Sequence, residues 1–216
     1  MNGKRILLLR HGETDWNAQK RFQGRQDIPL NDAGRRQAAA VSLRVRRWRP
    51  EAVWSSPQRR AMETAMIALQ CGSDAFSTDS NLCEVGFGVW EGALIAELEQ
   101  NNDPLYQAWK RAPFTEMPEG AETAAEVMQR ADRVLKTIAK SSAERCLVVA
   151  HGGILRAIIA QAAGFSFESA WNLKFSNCSL SGLEYNGRKF SVAFLNDTAH
   201  HCAENTCEEK TFPVLF

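Results

Sequence analysis

Short aliphatic runs alternate along this chain with longer stretches in which apolar residues recur every three or four positions. One run occupies residues 6–10 and ends on an arginine, a second lies in "EAVWSSP", and a third lies in "RCLVVAHGG". Runs of this length are typical of strands buried on both faces of a parallel sheet. The longer stretches predict helices, and Asn31 is expected to be the N-cap of the first long one.

The most regular helical pattern lies in residues 119–140, where Val127, Ala131 and Val134 share one apolar face. Nearer the C-terminus, two alternating segments flank an Asn-Gly pair at 186–187, which predicts a β-hairpin. Strands that alternate with helices indicate βαβ units. The pattern therefore predicts an α/β fold, a three-layer αβα sandwich with a mostly parallel central sheet and a C-terminal hairpin.

The domain organisation follows from length and periodicity. A chain of 216 residues is long enough to bury a substantial core, and we expect residues 1–216 to form a single domain. Residues 93–117 are less periodic and contain Pro104 and Pro113. This segment is predicted to be a small lid insertion.

Composition limits the classes of partner. The chain is 44% apolar and 24% charged, with a formal net charge of +1, so no long-range field attracts it to nucleic acid or membranes. No apolar run is long enough to cross a bilayer and no export signal is recognised, so we expect a cytoplasmic protein without a nucleic-acid or membrane partner. The six scattered cysteines are then expected to be reduced thiols.

Two predicted strands end on histidine. His11 follows the first strand and brings Arg10 with it, while His151 follows the strand in "LVVAHGG", and Arg59 and Arg60 lie just beyond a third strand end. Ligands of open α/β sheets bind beyond the carboxyl ends of the strands, so these side chains are expected at one edge of the sheet. Two arginines and two histidines in one crevice suit a phosphoryl dianion.

Four motifs carry a resemblance to a known family. The segments "RHGETDWN", "SSPQRRAMETA", "CEVGFGVWEG" and "VVAHGG" together resemble the histidine phosphatase superfamily, which includes the cofactor-dependent phosphoglycerate mutases. They span nearly the whole chain in the order of the family. The second motif departs from the family pattern at Pro57-Gln58, where acidic or aliphatic residues are commoner.

The resemblance implies roles for particular residues. His11 would be the nucleophile that becomes phosphohistidine, with Glu84 as the proton donor and His151 as the second, phosphate-contacting histidine. Arg10, Arg60 and Asn17 would contact the phosphate, although Asn17 is equally suited to capping its own loop. One ring nitrogen of His11 must attack while the other donates to a fixed acceptor, most simply a backbone carbonyl.

The implied activity is a metal-independent phosphomonoesterase that hydrolyses a small phosphorylated metabolite without a cofactor. A nucleotide-loop precursor of cobalamin is one candidate substrate among several. No carboxylate cluster typical of a magnesium site lies near the motifs. The segment "HHCAENTC", residues 200–207, has metal-capable residue types, but its spacing fits no standard zinc pattern and a structural tail is expected.

Two other functions stay open at this level. A phosphoglycerate mutase-type isomerase would use the same phosphohistidine and hold a second anionic group, for which the lid offers Lys110 and Arg111. The lid is short for a glycolytic mutase, and "YQAWKRAPF" is closer to the phosphatase branch. A non-catalytic phosphate-binding protein is the other alternative. A homodimer, paired through the hairpin edge, is also open, as is whether Trp90 and Trp109 line the pocket.

Overall fold

A six-stranded sheet forms the middle layer of the molecule, with strand order β3-β2-β4-β1-β5-β6. The computed structural model describes residues 3–204, of which 202–204 are described by their backbone alone. The strands are β1 (Lys4–Arg10), β2 (Ala52–Ser55), β3 (Ser77–Thr78), β4 (Arg145–Ala150), β5 (Leu180–Tyr185) and β6 (Phe190–Asp197). The α-helices are α1 (Asp15–Ala18), α2 (Asp32–Trp48), α3 (Arg59–Leu69), α4 (Ile95–Gln100), α5 (Pro104–Arg111), α6 (Ala124–Lys140), α7 (Gly152–Ala163) and α8 (Phe167–Ala170).

The three predicted layers are confirmed. Strands β1 to β4 are parallel, while β5 pairs antiparallel with β1 and β6 antiparallel with β5. Alternate side chains of β1 enter different layers, because successive residues of a strand point to opposite faces. Leu7 and Leu9 belong to the apolar cluster with α2 and α3, whereas Ile6 and Leu8 belong to the cluster with α6 and α7. The predicted hairpin is β5–β6, with Gly187 at a φ of 87° in its turn.

The start of α2 lies unusually close to the loop that follows β1. Asn31 caps α2 as expected, since its side chain accepts a hydrogen bond from the Gly34 N–H at 2.8 Å. A Cβ atom on Gly34 would lie 2.1 Å from the Glu13 carbonyl oxygen, and one on Gly12 would lie 2.5 Å from the Gly34 carbonyl oxygen. This contact between two backbones fixes the loop that carries His11.

Residues 93–117 form α4 and α5 and pack on the body of the molecule. Tyr106, Trp109 and Phe114 are buried in the larger apolar cluster. The Phe22 N–H donates to the Ala93 carbonyl at 3.1 Å, which ties the start of the segment to the loop after α1. Among the described residues, no helix has the length and apolar character needed to cross a membrane.

The segment 200–207 is described only in part, and Cys207 lies outside the described residues. His200 is buried beside α2, where Arg44 pairs with Asp197 and also contacts the His200 Nδ1 at 3.3 Å. Within residues 3–204, no three His, Cys, Asp or Glu side chains are grouped as a metal site would require.

The close backbone contact at Gly34 predicts how a substitution there changes the free energy of unfolding. Helix propensity alone would favour Gly34→Ala by up to about 1 kcal/mol, but the Cβ atom would collide with backbone, so we expect a loss of about 2 kcal/mol or more. Urea unfolding followed by circular dichroism measures this. The control is Ala39→Gly on the exposed face of α2, for which a loss of about 1 kcal/mol is expected from propensity. A Gly34→Ala protein as stable as the wild type would contradict the packing argument.

Candidate active site

The register between β1 and β4 brings the two strand-end histidines together. Arg10 is paired with Ala150, and the His11 N–H continues the ladder by donating to the Ala150 carbonyl at 2.9 Å. Each histidine is therefore the first residue beyond its strand at the same height. The ring centroids of His11 and His151 are 5.0 Å apart.

His11 is held as a neutral imidazole with one defined tautomer. Its ring is 2% exposed, and Nδ1 lies 2.6 Å from the Gly12 carbonyl oxygen. A carbonyl only accepts, so Nδ1 carries the proton and Nε2 keeps its lone pair. Burial, followed by the positive charges of Arg60 and Arg10, holds the pKa of His11 well below its ordinary value. A neutral ring with a free Nε2 lone pair is chemically able to act as a nucleophile at neutral pH.

His151 lies behind the pocket wall. It is fully buried and does not line the pocket, while its Nδ1 accepts a hydrogen bond from the Arg60 Nε at 3.1 Å. The proton is then on Nε2, which donates to the Ser56 hydroxyl at 2.8 Å. Burial and the charge of Arg60 hold the pKa of His151 well below its ordinary value. In this arrangement His151 orients the Arg60 guanidinium.

Arg60 is a buried cation and Arg10 a partly buried one, and both donate hydrogen bonds to neutral partners. Arg60 donates to the carbonyls of Gln26 at 2.7 Å and Gly24 at 3.0 Å, and burial lowers its pKa to about 10. Arg10 donates to the Phe175 carbonyl, while its buried Nε has no hydrogen-bond partner within residues 3–204. Neither guanidinium has a carboxylate at ion-pair distance in the described part of the chain. Two such cations beside one pocket favour the binding of an anion.

Glu84 reaches the same edge from the loop before the 3₁₀ turn Gly88–Trp90. One carboxylate oxygen accepts from the Gly153 N–H at 2.9 Å and from the Ile154 N–H at 3.2 Å, at the N-terminus of α7. A Cβ atom on Gly153 would lie 2.5 Å from that oxygen, so only glycine allows the carboxylate to sit there. Helix N-termini attract negative charge, which explains the position of the carboxylate.

Gln58 explains the departure from the family pattern in the second motif. Its side-chain oxygen accepts from the Glu84 N–H at 2.8 Å, and its Nε2 donates to the Gly24 carbonyl at 3.0 Å. On the other side of the same loop, Arg130 donates to the Cys83 carbonyl at 2.8 Å. The loop that carries Glu84 is thus held from two directions.

Asn17 caps its own loop and also lines the pocket. It forms a capping box with Thr14, and its Oδ1 also accepts from the Asn177 Nδ2 at 3.3 Å. It lines the pocket as well, and its own Nδ2 has no protein partner within residues 3–204. An amide donor is thus available beside His11.

These side chains surround a pocket of about 250 Å³. Its lining includes four cations, Arg10, Arg60 and two arginines that sequence reasoning missed, Arg21 and Arg156. It also includes four aromatic side chains, those of Phe22, Phe87, Trp109 and Trp171. Trp109 therefore lines the pocket, whereas Trp90 packs beneath it with a ring-centroid distance of 5.9 Å.

The two lid residues that were expected to hold a second anionic group lie outside the pocket. Lys110 and Arg111 are exposed and do not line the pocket, and Lys110 instead pairs with Glu99 at 2.9 Å. They sit in the last turn of α5, whose buried face carries Tyr106 and Trp109. The sequence does contain a signal for Arg156, because a residue four positions after Gly152 lies one helical turn further along the pocket face of α7.

Comparison with known proteins places the chain in a family. A model of the histidine phosphatase superfamily, branch 1, matches residues 6–198. The chain belongs to this superfamily. The metal-independent phosphoserine phosphatase of Arabidopsis thaliana is 34% identical over 199 residues, which cover 90% of this chain and 82% of that protein. Phosphoglycerate mutase-like protein 4 of the same plant is 33% identical over 200 residues, covering 90% and 86%.

A solved structure gives the same result. The mycobacterial glucosyl-3-phosphoglycerate phosphatase, determined with VO3, has a TM-score of 0.80 and 28% identity, and covers 89% of this chain and 98% of its own. Two of these three names are those of phosphatases and one is mutase-like. The names support the interpretation as a phosphoric monoester hydrolase.

The depressed histidine pKa values predict how stability varies with pH. Because the folded pKa of His11 lies below the unfolded value of about 6.5, the unfolded chain binds more protons below that pH. The free energy of unfolding should therefore fall as the pH is lowered below about 6.5. Well above that pH, His11 should contribute nothing to the pH dependence of the free energy of unfolding. In His11→Asn the slope should be shallower by up to about 1.4 kcal/mol per pH unit. Urea unfolding between pH 5 and 8 in phosphate-free buffer tests this, and equal slopes would contradict it.

Gln58 should matter for both stability and turnover. In Gln58→Leu the Glu84 N–H loses its acceptor and the Gly24 carbonyl loses one of its two donors, so we expect a stability loss of about 1–3 kcal/mol and a lower kcat. Gln58→Glu restores the acceptor for Glu84 and loses the donor for Gly24, so it should recover part of the kcat. Urea unfolding and steady-state kinetics measure both effects. Full kcat in Gln58→Leu would show that the link does not position Glu84.

Proposed function

We propose that this protein is a phosphomonoesterase that hydrolyses a small phosphorylated metabolite through a phosphohistidine on His11. The observation that carries the proposal is the fixed tautomer of His11. Its Nε2 lone pair adjoins a pocket in which Arg10 and Arg60 have no carboxylate partner within the described residues. A neutral nucleophile beside unpaired cations is the arrangement that attack on an anionic phosphoryl group requires.

In the first step, His11 Nε2 attacks phosphorus and the bond to the ester oxygen breaks. The leaving alkoxide takes a proton from Glu84 in its protonated form, while Arg10 and Arg60 hold the phosphoryl oxygens. The Gly12 carbonyl accepts from Nδ1 and so stabilises the positive charge that develops on the ring. Asn17 offers a further donor, and His151 acts through Arg60.

In the second step, the ionised Glu84 takes a proton from water, and the oxygen of that water attacks the phosphohistidine. The nitrogen–phosphorus bond breaks, neutral His11 is regenerated and inorganic phosphate leaves. Glu84 has gained the proton that it lost in the first step, so the cycle balances. These steps need no metal, since the arginines supply the positive charge.

The proposed substrate class is a small phosphomonoester. The relatives named above act on phosphoserine and on glucosyl-3-phosphoglycerate by their names. The pocket of about 250 Å³, lined by both arginines and aromatic rings, accepts a compact organic group beside the phosphate.

Hydrolysis of p-nitrophenyl phosphate tests the proposal. Wild-type protein should turn it over in the presence of EDTA, and His11→Ala should lose about a thousandfold or more of kcat/KM. Arg60→Gln should lose about a hundred- to a thousandfold. Its matched control is Arg59→Gln, because the neighbouring Arg59 is exposed and pairs with Glu63 at 3.9 Å. Wild-type turnover abolished by EDTA, or full activity in His11→Ala, would refute the proposed chemistry.

The covalent intermediate separates the alternatives. Phosphohistidine should be trapped on the wild type as a label that acid removes and alkali does not, and it should be absent from His11→Ala. Adding 3-phosphoglycerate with its bisphosphate and finding 2-phosphoglycerate rather than inorganic phosphate would identify a mutase. A protein that takes no label and turns over no ester would be a binding protein.

A further inference from the structure

Arg156 is a pocket arginine that the proposed chemistry does not use. It lies on α7, one turn after Gly152, and its Nε donates to the Leu173 carbonyl at 2.9 Å. The guanidinium lies over Trp171, with its central carbon 4.9 Å from the ring centroid, and over Phe175 at 5.5 Å. These contacts aim the two terminal nitrogens while leaving them without a hydrogen-bond partner in residues 3–204.

The charge of Arg156 is only partly offset by the protein, through the more distant carboxylate of Glu84. The pocket lining carries four arginines and a single carboxylate, that of Glu84. Arg156 has no carboxylate at ion-pair distance in the described part of the chain. Burial lowers its pKa to about 10, so it is still a cation at neutral pH.

Arg156 also approaches the phosphate-binding arginine. A Cβ atom placed on Gly152 would lie 3.0 Å from Nη1 of Arg156 and 3.6 Å from Nε of Arg10. Two guanidinium groups that converge on one glycine repel each other unless an anion lies nearby. Arg10 and Arg60 already match the two charges of a phosphoryl group, so Arg156 provides positive charge beyond what a simple phosphate ester needs.

We propose that Arg156 binds a second anionic group of the substrate, a carboxylate close to the phosphate ester. This inference rests on the proposed phosphatase function and narrows its substrate class to phosphorylated carboxylic acids. A carboxylate fits because the terminal nitrogens of one arginine match its two oxygens side by side. Arg21, the fourth pocket arginine, is less available, since it donates to Gly92 at 2.6 Å and to Gln19 at 2.8 Å.

The test compares two esters that differ only in the carboxylate. These are 3-phosphoglycerate and glycerol 3-phosphate, with p-nitrophenyl phosphate as a third substrate that has no second anionic group. Wild-type kcat/KM should favour 3-phosphoglycerate over glycerol 3-phosphate by about tenfold or more. Arg156→Gln should lose about ten- to a hundredfold on 3-phosphoglycerate and change less than about threefold on the other two.

Two further variants control for charge and folding. Arg156→Lys keeps the positive charge and the aliphatic part of the side chain but loses the two side-by-side donors of the guanidinium. It should therefore keep part of the preference for 3-phosphoglycerate, and it serves as the test if Arg156→Gln folds poorly. Arg111→Gln removes an exposed arginine outside the pocket and should leave all three rates unchanged. Equal losses on all three esters in Arg156→Gln would assign Arg156 to the phosphate itself and overturn the inference. A preference for 3-phosphoglycerate that survives in Arg156→Gln would also overturn the inference.

Binding to His11→Ala separates this inference from the proposed function. Calorimetric titration with 3-phosphoglycerate and glycerol 3-phosphate requires no turnover. Tighter binding of 3-phosphoglycerate that is lost in the double variant with Arg156→Gln supports the carboxylate subsite even if the wild type hydrolyses nothing. Equal binding of the two esters would refute the subsite whatever the enzyme hydrolyses.

Discussion

The parallel register of β1 against β4 is the constraint on which the site depends. Both strands leave the sheet at the same height, so the two backbone segments that carry His11 and His151 lie side by side, with His11 lining the pocket and His151 directly behind it. A slip of one residue between them would turn every side chain of one strand to the other face. The register is secured by burial, because the residues of β1 alternate between two apolar layers. The relative position of the two histidines at the sheet edge is thus fixed by the packing of apolar side chains in the interior.

A cluster of buried and partly buried cations is expensive to fold, and carbonyl groups rather than carboxylates accept their hydrogen bonds here. Arg60 and Arg156 both donate to backbone oxygens, and Arg10 does the same through one nitrogen. Dipoles reduce the desolvation cost without cancelling the charge. The positive potential of the pocket is therefore preserved for a ligand, and any anion that binds only the folded state stabilises it by mass action.

Much of this arrangement could be predicted from the sequence, because its signals are local. Aliphatic runs that end on His11 and His151 mark strand ends, and Asn31 and the Asn-Gly turn mark a cap and a hairpin. Other features were out of reach for physical reasons. Whether a lysine or an arginine of α5 faces the pocket depends on how the helix rotates against the aromatic cluster, and Lys110 lies outside the pocket in an ion pair with Glu99. Only its spacing from Gly152 pointed to Arg156, which lies on an otherwise apolar helix, because the other arginines of the pocket come from distant segments.

The hydrogen bonds of Gln58 couple two parts of the site mechanically. Its amide joins the Gly24 carbonyl to the Glu84 backbone, and that same carbonyl is a partner of Arg60. The group proposed to transfer protons and the group proposed to hold the phosphoryl oxygens are thus anchored to one side chain, so a displacement of either would be transmitted to the other. In the proposed reaction, such a linkage would let the site keep its shape while charge moves between nucleophile and leaving group, which lowers the reorganisation energy of each step.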